Sequence, residues 1–417
     1  MGVGKRRSTA LRLGGAAVAM LVVAEAAVWL LSPRDEPPPP VSVAENRYFS
    51  AAEIERAQDY QSGQRALGLA GIALEGALLL AVALGRPAPV ARWLDRLGRR
   101  PIAGAAAAGA LLATLTQLVT LPVRLAAHER AVDVGLSSQS LGSWLWDFVR
   151  AAAIGIAMAA VGAMLLLALV RRFPRRWWIP GAAAVTVLAV LFAWIAPVLL
   201  APIFNKFEPL PEGSRARADV LELGREAGVD IGEVYRVDAS RRVTALNAYV
   251  NGIGPTKRVV VYDNLLEGAA RPELRSVVAH ELGHVAHDDI PRGIAYVAIV
   301  TPLGLLFARE LALALLRRRG INPGSPAALP AYLLVLSLTA FVLGIPGNQL
   351  SRKVEASADD FALDLTHAPQ ALIDLQVKLT ETNVSDPDPP GWTQALFGTH
   401  PTTMERIGAA LAYERER

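Results

Sequence analysis

The chain reads Val277-Val278-Ala279-His280-Glu281-Leu282-Gly283-His284-Val285-Ala286-His287 just where a polar stretch gives way to a long apolar one. Pro272 suits a first helical position and opens a helix that carries this string. Residues four apart on a helix share a face, so His280 and His284 can present two imidazoles to one tetrahedral Zn²⁺, with Glu281 projecting beside them. A carboxylate there can take a proton from a water whose pKa the metal lowers to roughly 7 and pass it to a leaving group. With six His and no Cys among 417 residues, any metal must be held by His, Asp or Glu. Disulfides, thiolate sites and a cysteine nucleophile are excluded. A structural zinc site, the competing reading, usually requires four protein ligands.

Outward from the string, the composition decides the class. At 53% hydrophobic and 19% charged, with a mean hydropathy of +0.33, the chain is too apolar for an ordinary soluble protein of its length. Runs of about 20 apolar residues cross a hydrocarbon core of about 30 Å as helices. Five such runs precede the polar stretch, at about 13–31, 66–84, 102–123, 151–170 and 178–200, and two follow it, at about 290–316 and 327–345. The first follows Lys5, Arg6 and Arg7 in the manner of a signal peptide, but it is long and no A-x-A-like site closes it, so it is read as an anchor. Pro37 to Pro40 then form a stiff linker. The expected organisation is a five-span membrane domain at 1–204, an insertion at 205–289, two further spans at 290–346 and a polar tail at 347–417. In the insertion, residues 214–228 read as a helix and 233–237, 246–253 and 258–262 as strands, the last two joined by a Gly254-Pro255 turn. The 246–253 strand either offers its edge to an extended peptide or is an ordinary hairpin strand. The tail carries a helix around 351–365, a Pro-rich loop around 386–390 and a last helix from Pro401. A net charge of +4 and a pI near 9.5 do not indicate nucleic-acid binding, because the Arg residues cluster between apolar runs rather than along one stripe.

A third ligand is required, and Ser351-Arg352-Lys353-Val354-Glu355-Ala356-Ser357-Ala358-Asp359 supplies Glu355. Two crossings separate His284 from Glu355, so both emerge on one membrane face whichever way the chain is inserted. Each ligand segment lies roughly 9 to 14 Å from the bilayer at helical rise, which makes the site membrane-proximal. Asp359, one turn after Glu355, either accepts the free N–H of a ligating imidazole or is a solvent-facing helix acid.

The His280–His284 string, the Ser351–Asp359 segment, Asn247-Ala248 before a strand, and Thr399-His400-Pro401 followed by Arg406 together resemble the type 1 CAAX prenyl protease family. The likeness covers nearly the whole chain, including residues 48–68. It implies a mostly α membrane zinc endopeptidase: a seven-helix transmembrane bundle enclosing a chamber, with a membrane-proximal, gluzincin-like protease domain containing a small β-sheet. Carried over by position, His280, His284 and Glu355 hold one Zn²⁺ per chain and Glu281 is the general base. Asn247, with Ala248, lines the substrate cleft, and His400 and Arg406 stabilise the oxyanion. The implied substrate is a peptide, cleaved near a lipidated Cys or in quality control of membrane proteins. A monomer working in lipid, without nucleic acid, is expected.

Other residues have plainer readings. His287, Asp288 and Asp289 read as surface capping before the bilayer, and His128 and His367 as exposed loop histidines. Glu25, Glu75 and Glu310 lie within expected spans and either line a watery chamber or sit near span ends. Basic residues concentrate on the side of the amino terminus, at Lys5 to Arg12, Arg86 to Arg100, Arg171 to Arg176 and Arg317 to Arg319. That bias puts the amino terminus in the cytoplasm and, after an odd number of spans, the metal site on the outer face of a bacterial plasma membrane. The eukaryotic members of the resembled family work on the cytosolic or nucleoplasmic side. Three rivals stand beside this reading: an intramembrane protease with the motif inside a span, a transporter or channel, and an inactive client-binding scaffold. Arg275, Asp288 and Asp289 flank the motif too closely for the first.

Overall fold

The structure, a computed structural model, describes residues 2–34, 37–85, 87–252 and 257–416, with the side chains of 2–10 left aside. The expected Gly254-Pro255 turn, the last residue of the expected 246–253 strand, and Arg86 of the charge pattern lie outside the described residues.

The first half of the chain is helical. It runs through α1 (Gly2–Leu31), α2 (Ala51–Leu80), α3 (Ala88–Leu97), α4 (Pro101–Asp133), α5 (Leu141–Arg172), α6 (Trp178–Ile195) and the single turn α7 (Ala201–Phe204). The polar stretch folds as β1 (Phe207–Pro209), α8 (Arg215–Glu226), β2 (Glu233–Val237), β3 (Ala248–Asn251), β4 (Arg258–Tyr262), α9 (Asp263–Gly268) and α10 (Arg271–Ala286). The long helices α11 (Asp289–Arg319) and α12 (Leu329–Thr366) follow, then α13 (Pro369–Thr382), α14 (Gly391–Phe397) and α15 (Thr403–Glu416). Among the described residues, seven helical stretches are long and apolar enough to cross a membrane, and each contains one of the expected runs.

The helices outrun the apolar runs because polar turns continue them into water. In α2, Ser50 caps the start: its backbone N–H donates to Glu53 Oε2 at 2.8 Å, and the Glu53 N–H donates to Ser50 Oγ at 3.3 Å. This reciprocal cap satisfies orphan donors, so the helix begins at Ala51 rather than at the apolar boundary. Likewise α12 passes through Pro346 without ending, and the seventh span and the Glu355 segment are one 38-residue helix.

The sheet has the order β1-β2-β4-β3, with β2 and β4 parallel and the other pairs antiparallel. The three-residue β1, and the helices α13 and α14, are absent from the sequence expectation, and β3 is shorter than expected. One sheet face packs Val234, Ala248, Val259 and Val261 against Val220 and Leu223 of α8, Leu274, Val278 and Leu282 of α10, and Leu375 of α13. Helix α10 thus buries its Leu282 side in this core while its other side meets α12. Gly283 sets that approach: a Cβ there would stand 3.2 Å from Ala358 Cα and from the Phe361 ring. The insertion is tied to the membrane helices where Thr244 N–H donates to the Leu136 carbonyl at 3.1 Å and Arg242 pairs with Asp147 of α5 at 2.7 Å.

A cavity of about 570 Å³ lies among α2, α4, α5, α6, α11 and α12, with Glu75, Thr116, Gln117, Arg124 and Ser337 as polar lining. Of the three span acids only Glu75 faces it. Glu310 is paired with its neighbour Arg309, and Glu25 lies on the exposed side of α1. His128 is not an exposed loop residue: it is 8% exposed within α4 and stacks on Trp144 at 5.0 Å between ring centroids. His367 ends α12 in the left-handed conformation, φ 49°, with its Nδ1 3.1 Å from the Tyr413 hydroxyl.

Candidate metal centre

Helix α10 brings the two imidazoles to one face and α12 carries Glu355 across from them. His280 Nε2 and His284 Nε2 lie 3.2 Å apart. Glu355 Oε2 is 3.2 Å from His280 Nε2, and Oε1 is 3.6 Å from His284 Nε2. Two atoms bound to a tetrahedral zinc at about 2.0–2.1 Å are separated by about 3.3 Å, so these three spacings fit one ion.

The tautomers point the same way. His280 Nδ1 lies 2.8 Å from Asp359 Oδ1, and His284 Nδ1 lies 2.9 Å from Asp289 Oδ2. An ionised carboxylate only accepts, so each Nδ1 carries the hydrogen and each Nε2 turns its lone pair toward the other imidazole and Glu355. Glu355 Oε2 is buried and receives no hydrogen bond among the described residues. Three electron-pair donors facing one another are stabilised by a cation between them. Burial alone would lower the His280 pKa, but the Asp359 and Glu355 carboxylates outweigh it and raise it to about 9. The negative surroundings that attract a proton to this ring also attract a divalent ion, and the two compete for Nε2.

Behind the centre, Asp359 is 2% exposed and held from two sides. Arg406 donates from Nε to Asp359 Oδ2 at 2.7 Å and from Nη2 to Oδ1 at 2.5 Å. Its guanidinium therefore stands on the Nδ1 side of His280, away from the face where Nε2 and Glu355 converge. This differs from the oxyanion contact expected of Arg406: its Nε and Nη2 are engaged by the buried carboxylate that orients His280. Asp289 differs from expectation as well. It is not surface capping but a partner of His284, itself held by Arg292 Nη1 at 2.7 Å. The sharp break between α10 and α11, with Asp288 at φ 54°, turns Asp289 back toward the motif. A five-residue spacing across a helix break carries no recognisable signal in the sequence.

On the open side, His400 Nε2 is 3.3 Å from Glu355 Oε1, and its side chain is 57% exposed. Thr399 Oγ1 lies 2.9 Å from His400 Nδ1. Burial, helped by the positive charge of Arg406, lowers the His400 pKa against the pull of Glu355. Glu281 borders a cleft of about 340 Å³ shared with Val250, His284, Pro291 and Glu355. Burial raises its carboxyl above the usual range while His280 and His284 draw it down, and Val250 N–H donates to its Oε2 at 3.4 Å.

Strand β3 is the free edge of the sheet beside this cleft. Tyr262 N–H donates to the Asn247 carbonyl at 3.0 Å, so Asn247 faces β4, and by alternation the backbone groups of Ala248 and Val250 face outward. The Asn247 side chain is exposed and outside the cleft lining. The Ala248 methyl is 1% exposed in the core, so its backbone is the part available to a substrate. Leu246 N–H is taken by Asn383 Oδ1 at 3.2 Å, a cap from α13 that the sequence did not disclose.

Two family descriptions match successive parts of this chain: "CAAX prenyl protease N-terminal, five membrane helices" over residues 31–206 and "Peptidase family M48" over residues 212–414. The chain belongs to peptidase family M48. It is 28% identical over 366 residues to the "Uncharacterized metalloprotease YhfN" of Bacillus subtilis, a match covering 86% of each protein. It is 27% identical to CAAX prenyl protease 1 of Saccharomyces cerevisiae, over 74% of this chain and 72% of the yeast protein. In fold, it aligns with the crystal structure of S. mikatae Ste24p at a TM-score of 0.76 and 20% identity, covering 96% of this chain and 98% of the other. This M48 peptidase is thus an integral-membrane metalloendopeptidase, and a transporter or scaffold is not favoured.

Proposed function

We propose that His280, His284 and Glu355 hold one zinc ion and that Glu281 is the general base for peptide hydrolysis. The observation that carries this is the convergence of three electron-pair donors, 3.2 to 3.6 Å apart, beside a cleft bordered by a buried carboxylate. A zinc ion bound there would acidify a water to a pKa of about 7 and polarise the scissile carbonyl. Glu281 takes a proton from the attacking water and delivers it to the amide nitrogen as the C–N bond breaks, leaving a carboxylate and an amine. In the tautomer with its hydrogen on Nε2, His400 faces Thr399 Oγ1 with Nδ1 and offers that hydrogen to the developing oxyanion. Arg406 acts through Asp359, fixing the ring of His280. An extended peptide pairs with the outward backbone of Ala248 and the outward carbonyl of Val250, whose N–H is held by Glu281.

The substrate reading is a peptide with a lipid attached near its C-terminus or a membrane protein under quality control, supported by the prenyl-protease relatives and by the cavity between the spans. The enzyme works as a monomer, on the outer face of a bacterial plasma membrane. Glu281→Gln tests the central claim: turnover of a reporter peptide falls about 10²-fold or more while one zinc per chain is retained, and 1,10-phenanthroline abolishes wild-type turnover. Unchanged turnover in Glu281→Gln would overturn it.

A further inference from the structure

Away from the metal centre, a pocket of about 740 Å³ opens where α5, the α7 turn and the sheet meet. Its lining includes Arg150, Lys206, Arg241, Arg242 and Arg258 and a single acid, Asp147, which pairs with Arg242 and Arg150. Two acids just outside it, Glu208 and Asp238, pair with Lys206 and Arg241. The pocket keeps an excess of positive charge.

Its guanidinium groups are ordered in advance. Arg150 lies 5.6 Å from the Trp146 ring centroid and 5.5 Å from that of Phe204, and Arg258 lies 5.1 and 5.5 Å from those of Phe207 and Tyr235. These stacked cations and Arg241 are also pinned by donating to the Ile203, Pro197 and Phe204 carbonyls, which fixes their charge at the pocket while leaving part of each five-donor guanidinium for an anion. The level in the bilayer is equally defined. The apolar run of α5 begins just after Arg150, and that of α6 and α7 ends at Phe204, just before Asn205 and Lys206. Below the pocket, Trp194, Val198 and Leu199 are 54%, 54% and 62% exposed, and Trp146 at its rim is 61% exposed. Basic groups above an apolar face, with Trp146 at the boundary, match a lipid whose anionic head is at the interface and whose tails lie against the helices.

We propose that this pocket binds the phosphate headgroup of an anionic phospholipid, with the acyl chains along the exposed face of α6 and α7. Arg258 also donates from Nε to Asn251 Oδ1 of β3 at 3.0 Å and to the Pro197 carbonyl between α6 and α7. The bound head therefore sits at the joint between the fifth span and the edge strand of the cleft, and fixes the height of that strand above the bilayer.

The test is native mass spectrometry of the full-length, delipidated protein with dioleoylphosphatidylglycerol or dioleoylphosphatidylcholine added. Wild type binds the anionic lipid preferentially. Lys206→Gln with Arg241→Gln, at side chains 71% and 58% exposed, weakens that binding about 25-fold, at about fivefold per removed charge. Arg318→Gln with Arg319→Gln, on the opposite membrane side, leaves it unchanged. Stoichiometric zinc reports that the variants are folded; should the double variant lose zinc, Lys206→Glu alone carries the test, with weakening again expected. The proposal is overturned by equal binding of the two lipids, by unaltered binding in the pocket variants, or by displacement of the lipid by millimolar glycerol 3-phosphate, which would mark a site for soluble anions.

Discussion

His280 owes its geometry to two residues on other helices. Asp359 holds Nδ1, and Arg406 neutralises Asp359, so the imidazole presents one nitrogen in one orientation. Partners of this kind typically change metal affinity 10- to 100-fold when removed. Asp359→Ala is therefore expected to weaken zinc binding by about that factor, as measured by competition with a fluorescent chelator. Arg406→Ala is expected to weaken zinc binding too, because the buried carboxylate that orients His280 loses its cation and one of its two supports. If Arg406 instead met the oxyanion, its loss would lower kcat with zinc affinity intact, so the two measurements together separate the roles. His284 has the parallel arrangement through Asp289 and Arg292.

At the scale of elements, the crossing of α10 over α12 sets the distance between the imidazoles and Glu355. Gly283 is the closest point of that crossing, where an added Cβ meets Ala358 Cα and the Phe361 ring at 3.2 Å. Gly283→Ala is expected to push the helices apart by a few tenths of an ångström, and Gly283→Val by more. Catalytic arrangements lose about 10² in rate for displacements near 1 Å, so activity should fall in the order Gly, Ala, Val. The check is a peptide-cleavage assay beside thermal unfolding of each variant; equal activity in all three would show that the crossing does not control the site. Cooperation between elements is also visible at β3, whose one side is the buried core and whose free edge reaches Glu281 through Val250.

For the molecule as a whole, seven crossings separate the amino terminus from the tail that carries His400 and Arg406. Basic residues in the short loops put the amino terminus inside, so the metal centre and the carboxy terminus are expected outside. Alkaline phosphatase fused after residue 417 should be active in intact cells, and green fluorescent protein at the same point should be dark. The reverse pattern would move the catalytic face to the cytoplasm. In either orientation the cleft and the cavity among the spans lie within one connected body, since Arg242 and Thr244 tie the sheet to the ends of α4 and α5.

Local sequence alone determined the membrane class, the seven apolar runs and the pairing of His280 with His284, because hydropathy and helical period act over a few turns of chain. Glu355 was also within reach, since counting crossings brings it to the same face. Packing decided the rest. Asp289 turns back through a left-handed residue, Arg406 is captured by a buried carboxylate rather than by the cleft, and Ala248 points into the core. Each depends on which surfaces meet when distant helices and the sheet close together. That closure is set by burial and charge pairing across the whole fold, and no spacing along the chain encodes it.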